Sequence, residues 1–101
     1  MADRLTLHSK LCATLGSNNT YFQKPASLNM KYPAIRYTIK PSSPSYANNA
    51  IYRDMDCYEV ILIDDDPDSE IFGRLRRLPY CRFENFYTAD NLNHWVFTLY
   101  H

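Results

Sequence analysis

From Leu92 onward the chain alternates: Trp95, Phe97 and Leu99 fall on one side, and His94, Val96, Thr98 and Tyr100 on the other. Strand side chains repeat every two residues, so this is a β-strand with one heavily apolar face, and that face demands a covering layer. No polar tail follows Tyr100-His101. An apolar terminus resists fraying only when it is tied into a sheet, so its last residue is expected at a folded edge or a subunit contact. A second constraint lies upstream. Val60-Ile61-Leu62-Ile63 is apolar at every position, which predicts a central strand covered on both faces.

The remaining elements follow from spacing and breakers. Leu5, His8, Leu11, Cys12 and Leu15 share a helical face, Asp3 can cap the start and Gly16 can stop the end, giving a helix over 3–15. Tyr21-Phe22-Gln23 is a brief strand, and Tyr32 is held extended by Pro33. Ile35, Tyr37 and Ile39 alternate with polar neighbours as a half-buried strand. Residues 41–50, with two prolines, Ser and Asn, form a long loop of the kind that more often carries function than filler. Strand character resumes from Ile51 to Ile63.

Asp64, Asp65, Asp66 and Asp68 surround Pro67 as at a helix start, and Ile71, Leu75 and Leu78 continue at helical spacing until Pro79. Cys81 to Tyr87 is a strand with Phe83 as its clearest inward residue and a bulge or bend near Phe86-Tyr87. Thr88-Ala89-Asp90-Asn91 turns into the final strand. The fold class expected is α+β: one domain over 1–101, a mainly antiparallel sheet of four or five strands, and two helices on one face.

Bulk properties narrow the function. Eleven basic residues balance eleven acidic ones, whereas a domain that grips a phosphate backbone carries a basic excess. Zero net charge also removes repulsion between copies. Nine Tyr, five Phe and one Trp supply rings suited to a β-rich core or to protein interfaces. Cys12, Cys57 and Cys81 are odd in number and far apart, and with His8, His94 and His101 they make no zinc-ligand spacing. Free thiols in a reducing compartment are expected. The first residues carry no signal-peptide core, and no run reaches the ~18 apolar residues of a membrane helix. A soluble protein made in the cytoplasm is expected.

Candidate chemistry is thin. The acids at 64–68 are a possible Mg²⁺ site, but consecutive residues of an extended chain face apart, and helix capping explains them better. Ser9, Ser27, Ser42, Ser43, Ser45 and Ser69 lack a G-x-S-x-G elbow or a paired base. His94 suits a sheet edge better than a catalytic role. Arg74, Arg76, Arg77 and Arg82 form a basic cluster whose default is a solvated helix end. No catalytic residue, metal or cofactor is assigned, and no enzyme is expected.

Several blocks, in order, carry a family resemblance: Asn19-Thr20-Tyr21-Phe22-Gln23-Lys24-Pro25, Met30-Lys31-Tyr32-Pro33-Ala34-Ile35, Asp66-Pro67-Asp68-Ser69-Glu70 and Leu78-Pro79-Tyr80-Cys81. Asp90-Asn91-Leu92-Asn93-His94 with Val96-Phe97-Thr98-Leu99-Tyr100 is the most specific of them. Together the chain resembles the tail terminator, or tail completion, proteins of long-tailed bacteriophages. The resemblance implies a structural virion protein, assembled in the host cytoplasm, that closes into a homo-hexameric ring at the head-proximal end of the tail tube. Such a ring ends tube polymerisation, docks to the head-closure or connector protein, and passes DNA without reading its sequence.

Ring subunits meet head to tail through two different patches. The candidate interface residues are Tyr46, Asn48 and Asn49 in the long loop, with Tyr32, Tyr87, Asn91, Asn93, His94 and Tyr100 at strand ends and turns. A head-closure or connector protein of the neck is the alternative. A small nucleic-acid-binding domain using the arginines and aromatic rings is a more distant one.

Overall fold

A computed structural model describes residues 4–23, 32–40 and 56–101. Its elements are α1 (Arg4–Leu15), β1 (Thr20–Phe22), β2 (Ala34–Ile39), β3 (Cys57–Asp64), α2 (Glu70–Arg76), β4 (Cys81–Ala89) and β5 (Leu92–Tyr100). The strands form one sheet in the order β1-β2-β3-β5-β4. Only β1 and β2 run parallel; every other pair is antiparallel. The architecture is α+β, as the sequence predicts.

Apolar alternation places the core. Tyr58, Val60 and Leu62 of β3, Ile35 and Tyr37 of β2, and Trp95, Phe97 and Leu99 of β5 share one face of the sheet. Leu7, Leu11 and Leu15 of α1 and Ile71 and Leu75 of α2 pack onto that same face. On the other face Ile61 and Ile63 are buried too, so β3 is central and apolar on both sides. Removing this many large side chains from water, at about 25 cal/mol per Å², is the main force holding the layers together.

The buried stripe of α1 is Leu7-Leu11-Leu15, with His8 and Cys12 half-buried beside it. Leu5 is on the opposite side and exposed, against the expected face, because two residues along a helix turn through about 200°. Gly16 does end α1: its φ is 85°, and its N–H donates to the Cys12 carbonyl at 2.8 Å. The expected Asp3 cap lies outside the described residues, as does the 51–55 part of the strand expected from Ile51.

The acids before α2 differ from expectation. Helix α2 starts at Glu70, three residues after Pro67. The Asp66 N–H donates to Asp64 Oδ1 (3.1 Å) and the Asp68 N–H to Asp66 Oδ1 (2.9 Å). Two successive Asx turns therefore occupy the carboxylates, because a short side chain reaches its own backbone two residues on. Leu78 lies beyond the helix, whose end tightens through Arg77 N–H to Arg74 O and Leu78 N–H to Leu75 O.

The final strand is tied into the sheet, hydrogen-bonded to β3 on one side and β4 on the other, and β4 lies at the edge. The irregularity in β4 falls between Phe83 and Asn85, slightly before the expected bend. No helix among the described residues is long and apolar enough to cross a membrane.

Candidate assembly interface

Strand β4 is nine residues long, and its seven central residues are exposed. Its inner side pairs with β5, and among the described residues no strand pairs with its outer side. Antiparallel ladders alternate which residues bond across the pair. The Tyr100 N–H donates to the Tyr80 carbonyl at 3.0 Å, so Cys81 and Phe83 turn their N–H and C=O groups away from β5. Beyond the bulge the two-residue hairpin makes Ala89–Leu92 a bonded pair. Phe86 and Thr88 then turn outward as well. This is an open edge of the kind that templates pairing with another chain.

Rings flank the edge on both faces. Phe83 and Phe86 lie on the helix side: Phe83 meets Phe72 edge-on at 5.2 Å and Phe97 at 5.6 Å, and Phe86 lies 5.4 Å from Trp95. Phe83, expected to be inward, faces the core yet stays 39% exposed, because among the described residues no strand lies beyond β4 to cover its outer half. On the other face Tyr87 stacks on His94. The one charged couple, Arg82 and Glu84, neutralises itself at 2.8 Å, and that hydrogen-bonded guanidinium holds the Glu84 carboxyl below its usual range. From Asn85 to Ala89 the edge carries no charge.

The hairpin gathers four predicted residues at one end of the sheet. Asp90 and Asn91 take φ of 55° and 64°, the left-handed pair that a type I′ turn requires. Asn93 donates its Nδ2–H to the Asp64 carbonyl at 3.2 Å, tying the hairpin to the end of β3. His94 Nδ1 lies 3.2 Å from the Leu92 carbonyl, an acceptor that assigns the ring proton to Nδ1. Asn91 and Asn93 line an open polar recess of about 470 Å³ with Thr88, Ala89 and Asp90.

Tyr32, exposed ahead of β2, is at this same end, because Ala34 is in register with Ile63 and Ile63 with His94. Tyr100 is not. It is half-buried at the far end of β5, opposite Cys57. Tyr46, Asn48 and Asn49 lie outside the described residues. Sequence reasoning missed Phe86 and Tyr80 as exposed rings; the signal was Phe86-Tyr87 itself, two adjacent aromatics that put a ring on each face of one strand.

The other candidates are engaged locally. Arg74 pairs with Glu70 at 3.8 Å and donates to the Thr14 carbonyl at 3.3 Å, and Arg76 lies over the Phe72 ring. His8 Nδ1 is 2.7 Å from the Tyr37 hydroxyl, to which Arg4 also donates at 3.4 Å. The His8–Tyr37 hydrogen bond, with the Arg4 contact to the same hydroxyl, docks α1 on β2. Among the described residues no three His, Cys, Asp or Glu side chains converge as a metal site would require.

No family model, curated protein or solved structure matches the chain.

Proposed function

We propose that the protein is a ring-forming structural subunit of a long-tailed phage, the tail terminator. The single observation that carries the assembly reading is β4: a long, open, aromatic-flanked edge whose only charges cancel each other. An exposed strand of this kind in a folded protein is either blunted or used, and beyond the bulge residues 85–89 carry no charge or proline to blunt it. The phage assignment rests on the resemblance of the 90–100 block and its upstream companions. In this role the partners are other copies in a homo-hexamer, the tail tube protein and the head-closure or connector protein. DNA passes through the channel without sequence-specific contacts, and no catalytic step is needed.

The balance of eleven basic and eleven acidic residues, with Arg74 and Arg82 already paired to Glu70 and Glu84, counts against the nucleic-acid reading. Mixing the purified protein with tail tubes and, separately, with DNA-filled heads tests the proposal. A terminator binds tube ends and halts their growth in electron micrographs. Attachment to heads with none to tube ends transfers the reading to the connector protein.

A further inference from the structure

Among the described residues, the large apolar side chains left exposed fall into two groups on opposite sides of the sheet. One is the four-ring set of β4 and its approach, Tyr80 to Tyr87; the other is Leu5, Tyr32 and Ile39, on α1 and at the two ends of β2. Strands β3 and β5 between them contribute none. Strand β1 pairs with Ile35 to Tyr37 alone, so both ends of β2 extend past it.

Position along the strands matches as well as side. Ile39 is level with Cys81 through Tyr58 and Leu99, and Ala34 is level with Tyr87 through Ile63 and His94. Repeating the sheet sideways therefore sets Ile39 of one copy beside the Tyr80 end of the next, and Tyr32 beside the Tyr87 end. The strand directions also agree: β4 runs antiparallel to β1 and β2, the more stable sense for a new pair.

We propose that copies of this chain join head to tail, with the β4 edge of one seated against the α1/β2 side of the next. This rests on the ring reading and names its contact. Two different patches on opposite sides are what a heterologous, ring-closing interface requires. A buried aromatic side chain covers about 150–250 Å², so the exposed parts of the four rings offer roughly 350 Å². That is close to half of the ~800 Å² per partner of a stable interface, and the backbone edge and polar rim add to it. The seam buries no lone charge on the β4 side, because Arg82 and Glu84 arrive already paired.

The test uses three variants of the full chain, each checked for folding by circular dichroism and urea midpoint. Phe86→Lys places a charge on the edge, and Thr88→Pro removes an outward N–H while sparing the ladder to β5. Ile39→Lys alters only the opposite patch. Native mass spectrometry, with tube protein as template, is expected to show wild-type rings and a loss of rings in each variant alone. An equimolar mixture of Thr88→Pro and Ile39→Lys is expected to give two-subunit species, since one intact contact survives per pair. Rings from Ile39→Lys alone, or no pairing in the mixture, overturn the proposal. Wild-type rings indifferent to all three variants overturn this contact and leave the terminator reading standing. A wild type that stays monomeric with tubes present overturns both.

Discussion

The Tyr87 ring lies flat on the His94 imidazole, with centroids 4.7 Å apart and planes inclined by 12°. The stack joins the edge strand to the interior strand on the face away from the helices, three residues from the hairpin. Aromatic pairs contribute about 0.5–1.5 kcal/mol beyond their area. A double-mutant cycle with Tyr87→Ala and His94→Ala, read by urea denaturation, is expected to return a coupling of about 1 kcal/mol. Strict additivity would mean the two rings stand side by side without stabilising each other.

Asn91 is held at φ 64° by the hairpin. A left-handed residue with an ordinary Cβ costs about 1–2 kcal/mol, and glycine avoids that cost. Asn91→Ala is expected to lower stability by about 1 kcal/mol, whereas Asn91→Gly is expected to be neutral or stabilising in the same melts. Equal behaviour of the two variants would show that the backbone at 91 is not the constraint.

The Tyr37 hydroxyl sits in the core between His8 and Arg4. Tyr37→Phe strands those partners and is expected to cost about 1–2 kcal/mol at pH 7. Burial, offset in part by Arg4, raises the phenol above its ordinary 10.0. The unfolded chain thus loses this proton first as pH rises. Stability from this group is complete below pH 10 and is lost through the alkaline range above it. Wild type is expected to lose stability more steeply above pH 10 than Tyr37→Phe, and parallel alkaline limbs would contradict the assignment.

Burial pushes the Cys81 thiol up to about 11 from 9.0. At pH 8 its thiolate fraction falls by roughly 100-fold relative to the unfolded chain, and the thiolate is the reactive form. Iodoacetamide is expected to label Cys81 in urea and to spare it in the native protein, as peptide mass mapping reads out. Rapid native labelling would show that the start of β4 opens readily.

Periodicity alone determined the sheet's interior. The two-residue repeat of Trp95-Phe97-Leu99 and the unbroken Val60–Ile63 run identified the buried faces, because alternation is a local property of an extended chain. Gly16 marked the end of α1 for the same reason: a missing Cβ acts where it stands.

The order β1-β2-β3-β5-β4 was not legible. Pairing is a choice among distant partners, so only the tertiary structure set the last strand inside and left β4 at the edge. That choice half-exposed Phe83 and left the rings of Phe86 and Tyr87 along an open edge among the described residues. Local Asx turns take the Asp64 and Asp66 carboxylates, a competition between side chain and helix end that composition does not decide. Sequence determined which faces must be buried; the packing of strands against one another decided which edge is left to meet a partner.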